Sequence, residues 1–502
     1  MNLVMALEMA AECHPQRIAV SSGGLHLSYG NLLNAARAGA EIIRDANVKY
    51  VGVLDVNSPA VPIALFAAAY AGVPYVPMNY RLTKVELEAL LGRIARALLI
   101  TDAPVLAPLD VPAGIKVMMR DEFQRVALSF TPEAMSAPAA PHDTAIQLFT
   151  SGTTGKPKAA VLRHQNLMSY VLGTVEFGSA AEEDAILISV PPYHIAGISA
   201  VLSSTYAGRR MVQLPNFDAA TWLQLCRVEK ITNAFVVPTM LSRIVDHLEQ
   251  EGGSARVPAL RAIAYGGGKM PLPVIEQAMR LFPGAYFTNA YGLTETSSTI
   301  CLLGPDDHRS GFESKDPLVR RRLASVGKPV PTVEIQIRGE GGEVLGPGQS
   351  GEIFVRGEQV AGEYLEQGSL LDSGGWFPTR DRGQVDEVGY VYLEGRADDV
   401  IVRGGENISP GEIEDVLLDH PAVSDVAVVA VPDRQWGEAV GAMIVLRENA
   451  EATEAELQEW VKQRLRSSRV PTAIRYADQL PYNEMGKVLR RVLKQQFVDL
   501  VS

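Results

Sequence analysis

The stretch TSGTTGKPK, residues 150–158, sets three threonines, a serine, two glycines and two lysines within nine positions. Small hydroxylated residues interleaved with glycine let backbone amides and hydroxyls wrap around a phosphate. It is not the loop of a P-loop fold, which reads G-x-x-x-x-G-K-[ST] and runs straight into a helix. Here Lys156 is followed by Pro157, which fixes φ and removes a backbone donor. Another α/β arrangement must surround this loop, and the sequence on either side describes it.

Up to about residue 310, helical patterns such as LTKVELEALLGRIARALL (82–99) alternate with short apolar runs such as AILISV (185–190), AFVVP (234–238) and AIAYG (262–266). That alternation predicts two parallel-sheet α/β subdomains covered by helices. Val61 to Met78 is 18 residues without a charge, the minimum for a membrane span. Gly72, Pro74 and Pro77 break it, so it reads as a buried helix near 62–71 followed by a strand. Between about 325 and 395 the runs VEIQIRG, GEIFVRG and GYVYLEG, separated by glycine-rich turns, predict an antiparallel, barrel-like subdomain. After GRADD (395–399) a smaller α+β unit follows, with strands near 424–431 and 440–446 and a helix at about 453–466. The chain therefore divides near Asp398 into a large domain, 1–397, and a small one, 398–502.

A chain of 502 residues needs more than one core. The formal net charge of −12 disfavours nucleic acid as a partner, so an anionic ligand must be met by local positive groups. Cys13, Cys226 and Cys301 are scattered outside any metal-ligand spacing and suggest neither a disulfide framework nor a zinc site. The N-terminal stretch reads as an amphipathic helix, because Glu8 interrupts its apolar run. A cytoplasmic protein without integral membrane association is the expectation.

Downstream of the opening loop come YGLTET (291–296), GWFPTRDRG (375–383), GRADDVIVRGGENISPGEIE (395–414) and NEMGKVLRR (483–491), in that order. Together these motifs resemble the adenylate-forming enzyme superfamily over nearly the whole chain. The runs PPYHIAG (191–197) and LPYNEMGKVLRR (480–491) are most similar to its stand-alone acyl- and aryl-CoA ligases. The resemblance implies two steps: a carboxylate takes AMP from ATP and releases pyrophosphate, then the thiol of coenzyme A displaces AMP. Two anions must meet in the first step, so magnesium and fixed cations are needed to stabilise the charge in transit.

The site residues follow from the same resemblance, position by position. Thr150, Ser151, Gly152, Thr153, Thr154 and Gly155 form the loop around the departing phosphates, with Lys158 as its cation. Gly266, Gly267 and Gly268 match the backbone wall beside adenine, and Tyr291 the aromatic stacked on it. Thr294 matches the contact to the α-phosphate, Glu295 the magnesium ligand, and Asp381 and Arg396 the residues that hydrogen-bond ribose. Lys487 matches the lysine bridging the substrate carboxylate and α-phosphate, and Asp398 the hinge about which the small domain turns between steps. Two positions depart from the family pattern: Arg380 replaces the glycine of Thr-Gly-Asp, and Ala159 the glycine after Lys158.

For the acyl pocket, His194, Ile195, Ala196, Gly197, Ser199, Gly267, Gly268, Ser297 and Ser298 match lining positions. No carboxylate lies in PPYHIAGIS (191–199) to pair an α-ammonium, which disfavours an amino acid. The many small side chains suit a bulky cyclic, aryl or medium-chain acid. For coenzyme A, Gly404 and Gly405 resemble the edge of the pantetheine tunnel, while Trp436 and Arg469 resemble its nucleotide contacts. Two other readings stay open: a ligase that loads a carrier-protein phosphopantetheine, and a non-catalytic nucleotide-binding module. Either a monomer or a homodimer is compatible with the sequence.

Overall fold

The computed structural model describes the chain except residues 130, 131, 133–139, 151–156, 254, 397, 398, 404, 405, 484–486 and 499–502. The run from Val61 explains itself in the fold. Ala60–Ala71 is a helix buried all round, capped by Gly72 at φ 75°, and Tyr75–Pro77 then enters a sheet. Among the described residues no helix is long and apolar enough to cross a membrane.

That sheet has eight strands in the spatial order Gly368–Ser369, Glu363–Tyr364, Lys158–Arg163, Thr144–Thr150, Tyr75–Pro77, Tyr50–Leu54, Ala97–Thr101 and Lys116–Met119. Its central parallel strands are short and largely buried, as expected of strands covered on both faces, while the edge strand Lys116–Met119 is partly exposed. The expectation of one helix over 82–99 is corrected here. The helix is Lys84–Arg93, started by a Thr83/Glu86 capping box, and Ala97–Thr101 is a buried strand paired in parallel with Tyr50–Leu54. A short apolar run such as ALLIT does not by its periodicity distinguish a helix tail from a buried strand.

A second sheet of nine strands runs through Lys328–Pro329, Ser298–Leu303, Tyr286–Leu293, Ala262–Gly266, Asn233–Val236, Ala185–Ile188, Arg210–Gln213, Ile18–Ser22 and Leu25–Ser28. Its centre is parallel, and antiparallel pairs close both ends. Glu334–Arg338, Gly351–Arg356, Phe377–Val385 and Val391–Arg396 form a four-stranded antiparallel sheet. The C-terminal residues build a separate five-stranded sheet around the long hairpin Val423–Asp433 and Gly437–Leu446, with its own apolar core. The helix expected over 453–466 is shorter, Glu454–Lys462, started by a Thr453/Glu456 capping box.

Candidate active site

Thr150 and Lys158 face each other at the end of the hairpin formed by Thr144–Thr150 and Lys158–Arg163. The expected phosphate-loop residues Ser151, Gly152, Thr153, Thr154 and Gly155 lie outside the described residues. The base of the hairpin is held from two directions. Arg93 donates to the carbonyl of Pro157 at 2.7 Å and pairs with Glu366, and Leu365 N–H donates to the Ala159 carbonyl at 2.9 Å. Ala159, where the family has glycine, is a fully buried strand residue whose methyl group is accommodated in the core.

Glu295 stands in a short turn, Thr294–Thr296, between the antiparallel strands Tyr286–Leu293 and Ser298–Leu303. The turn is tight. A Cβ at Gly292 would lie 1.8 Å from the Ser298 carbonyl oxygen, and Ser297 and Ser298 carry φ of 57° and 121°, conformations that cost non-glycine residues energy and cluster at functional sites. Ala361 and Gly362 N–H groups clamp the Glu295 carbonyl at 2.9 and 3.0 Å. The Glu295 side chain is 8% exposed and accepts a hydrogen bond from the Tyr364 hydroxyl. Tyr364 also shares a hydrogen bond with Thr150, and Lys158 Nζ lies 5.5 Å from the centre of its ring. One phenol thus joins the phosphate hairpin to the carboxylate expected to hold magnesium.

Asp381 and Arg396 pair across neighbouring strands, Arg396 Nε lying 3.1 Å from Asp381 Oδ1. The Tyr291 hydroxyl donates to Oδ2 at 2.6 Å. Burial and the adjacent Asp381 carboxylate push the Tyr291 phenol well above its ordinary range. Arg380, where the family pattern has glycine, adopts a left-handed backbone at φ 62°. Gly266 is required by the sheet, because a Cβ there would lie 2.1 Å from the Ala290 carbonyl oxygen. Gly267 has φ 83°, and with Gly268 it is half-buried.

The C-terminal lysine is brought to this group. Asn483 N–H donates to the Lys487 carbonyl at 2.8 Å, and the Asn483 side chain accepts the Lys487 N–H at 2.9 Å. Surrounding protein lowers the pKa of Lys487 from its ordinary value. The cation of Arg396 lowers it further, while Asp381 and Glu295 act in the opposite sense. Lys487 therefore lies within electrostatic reach of Arg396, Asp381 and Glu295. Burial first, then Lys487 and Arg81, push the His194 imidazole down to about 3. Its ring packs 4.4 Å from that of Tyr193.

His194 occupies the N-cap position of the helix Ile195–Ala207 without a side-chain capping hydrogen bond. A Cβ at Gly197 would lie 2.8 Å from the Pro191 carbonyl oxygen, so glycine there reflects close packing. Ile195 and Ala196 are half-buried. Ser298 Oγ lies 3.2 Å from Ser199 Oγ, joining two expected lining positions, whereas Ser297 is fully buried.

The expected coenzyme A residues are not gathered in the same way. Gly404, Gly405 and the expected hinge Asp398 lie outside the described residues. Trp436 is 45% exposed with the Arg403 guanidinium 6.0 Å from its ring. Arg469 is engaged within the small domain by Glu406 and by Glu412 at 3.4 Å. Sequence reasoning passed over Tyr364 and Arg93. Neither sits in a motif of its own, and each matters only because residues around 364 return to the edge of the first sheet.

The described residues contain no group of three or more His, Cys, Asp or Glu side chains suited to a metal. Magnesium nevertheless fits here, since it commonly takes one carboxylate and completes its shell with phosphate oxygens and water. Glu295, buried beside the phosphate hairpin, supplies such a carboxylate.

Residues 7–365 match the family described as AMP-binding enzyme, and 412–487 match its C-terminal domain. The chain belongs to this family of adenylate-forming enzymes. It is 33% identical to a 2-succinylbenzoate–CoA ligase of Bacillus licheniformis, covering 97% of this chain and 98% of the other. To a feruloyl-CoA synthase of an Amycolatopsis species it is 31% identical, covering 97% of each. A solved structure of o-succinylbenzoate CoA synthetase from Bacillus subtilis with its acyl-adenylate intermediate superposes with a TM-score of 0.83, at 30% identity and 97% coverage of both chains.

Proposed function

We propose that this protein is an AMP-forming acid:CoA ligase acting on a bulky aryl or cyclic carboxylic acid. The observation that carries the reading is that Lys487, from the C-terminal unit, lies within electrostatic reach of Asp381, Arg396, Glu295 and His194. A lysine among groups matched to ribose and magnesium contacts is placed to hold the acid's carboxylate against the α-phosphate. The names of the two relatives, a succinylbenzoate ligase and a feruloyl-CoA synthase, support an aryl acid.

In this reading ATP lies with its ribose on Asp381 and Arg396, its adenine between Tyr291 and Gly266–Gly268, and its terminal phosphates in the loop 150–158. Magnesium, held by Glu295, neutralises phosphate charge when bound. Lys487 lowers the repulsion between the carboxylate and the α-phosphate, and Thr294 supports the latter. His194, kept neutral by its surroundings, can accept or donate a hydrogen bond without adding charge to the acyl pocket. The chain works as a large domain, 1–397, and a small one, 398–502, turning about Asp398 so that coenzyme A reaches the adenylate past Gly404, Gly405, Trp436 and Arg469.

The test is a panel of aryl, cyclic, medium-chain and amino acids with MgATP, read for pyrophosphate and, after adding coenzyme A, for thioester by mass. Pyrophosphate and thioester with an aryl acid are expected. Pyrophosphate without thioester would move the acceptor to a carrier protein, and neither product with any acid would leave a nucleotide-binding module.

A further inference from the structure

Directly after the adenine wall comes Lys269, a residue to which no motif assigns a role. Its ammonium crosses to the C-terminal unit. Nζ lies 2.6 Å from Asp415 Oδ1 and 3.5 Å from the carbonyl of Gly411, both on the helix Pro410–Leu418. The start of that helix is pressed onto the large domain at the same spot. The Ser409 hydroxyl donates to the carbonyl of Glu394, and a Cβ at Gly411 would lie 3.0 Å from that carbonyl oxygen and 3.4 Å from Lys269 Nζ. Glycine at 411 is what lets both partners approach.

The same helix carries Glu414, which faces the other way. It pairs with Arg490 at 2.6 Å, and Arg490 follows Lys487 by three residues. Neighbouring carboxylates on one helix therefore hold Lys269, beside the adenine wall, and Arg490, the first residue of the helix Arg490–Val498 that follows Lys487.

We infer that Lys269 is a positioning residue for the first half-reaction: its ion pair with Asp415 seats the helix Pro410–Leu418, and through Glu414 and Arg490 that helix sets Lys487 over the α-phosphate. The inference rests on the proposed two-step reaction, in which the small domain must leave this seat before the thiol attacks. The contact then favours one domain arrangement and opposes the other, which is how a ligand-independent pair can bias a two-state element. It also places a charge sensitive to the adenine wall at the joint between domains.

The experiment compares Lys269→Ala, Lys269→Glu, Asp415→Ala and the swap Lys269→Asp with Asp415→Lys. For each, single-turnover pyrophosphate release is measured with acid and MgATP, and thioester formation is measured separately from preformed acyl-adenylate and coenzyme A. An exposed pair contributes modestly, so Lys269→Ala is expected to slow pyrophosphate release by about threefold and Lys269→Glu, which adds repulsion, by about tenfold. Thioester formation from the preformed adenylate should hold or rise, KM for ATP should stay near wild type, and the swap should recover most of the loss. Equal loss in both half-reactions, or a swap no better than Lys269→Glu alone, overturns the inference. If the wild type releases pyrophosphate but makes no thioester, the proposed acceptor is wrong, while the first readout still decides the role of Lys269.

Discussion

Both carboxylate oxygens of Asp381 are engaged from opposite sides, Oδ1 by Arg396 Nε at 3.1 Å and Oδ2 by the Tyr291 hydroxyl at 2.6 Å. An ionised carboxylate has about four acceptor positions, so lone pairs remain for two ribose hydroxyls. The surrounding donors fix where those lone pairs point. Asp381→Asn replaces one acceptor oxygen with a donor and weakens the pull on Arg396. KM for ATP is expected to rise about tenfold or more, with preference for ATP over its 2′,3′-dideoxy analogue largely lost. Undiminished discrimination in the variant would remove Asp381 from the ribose site.

Lys487→Ala should slow pyrophosphate release by ~100-fold or more, a barrier increase near 2.7 kcal/mol, and spare thioester formation from preformed adenylate. Lys487 must be protonated to act as a cation, and its surroundings lower its pKa from the ordinary value. The alkaline limb of the adenylation rate should accordingly fall at a lower pH than a free lysine would give. A rate that stays flat into the range of an unperturbed lysine contradicts this assignment.

Arg380 tests the cost of the family's missing glycine. Its φ of 62° is a left-handed conformation that costs an L-residue roughly 1–2 kcal/mol, while glycine loses about 0.5–1 kcal/mol through a freer unfolded chain. Arg380→Gly is expected to raise stability by up to ~1 kcal/mol. Arg380→Val, stiff at χ1, should lower it by more than ~1 kcal/mol. Urea melts of the three proteins give the order directly, and a valine variant as stable as wild type would mean that the backbone relaxes.

These three sites mark how far the sequence alone could be read. Asp381, Arg396, Glu295 and Lys487 stand in motifs whose order along the chain singles them out, and the structure pairs Asp381 with Arg396 and sets Lys487 within electrostatic reach of Arg396, Asp381 and Glu295. The division of 82–99 into a helix and a strand was hidden, because ALLIT shows no alternation, being buried at every position, and its partner strand, Tyr50–Leu54, is remote in sequence. Tyr364, Arg93 and Lys269 were hidden for a related reason: each acts through a partner more than 60 residues away, and local periodicity carries no trace of such pairs. The left-handed turn at Arg380 is a third case, since an arginine does not announce the conformation that a glycine would.

Three histidines set the acid limit of the fold. Burial holds His164 and His308 down to about 4 and His194, with help from Lys487 and Arg81, to about 3. In the unfolded chain each titrates near its ordinary value, so below that value the unfolded state binds protons that the folded state refuses. Their effect on stability is nil above about pH 7 and grows as pH falls through the histidine range. Each fully buried histidine destabilises by up to about 2 kcal/mol at pH 5 relative to neutral pH, with less from the partly exposed His194. Urea midpoints should fall steadily between pH 7.5 and 5.5, and His308→Phe should flatten the slope. A midpoint constant over that window would show these rings to be protonated in the folded protein.

The strand Glu363–Tyr364, itself flanked by Gly368–Ser369, covers the outer edge of Lys158–Arg163, and the Ala159 N–H donates to Glu366 across a separation of 207 residues. During translation at about 5–20 residues per second, that edge must wait ~10–40 s for its cover to be made. An uncovered strand edge is a template for pairing with another chain. Here the waiting edge begins at Lys158 and ends at Arg163, and Arg163 later forks onto Glu363 at 2.7 Å. Charges at both ends of a strand edge disfavour its pairing with another chain, and one of them, Arg163, also fastens the cover.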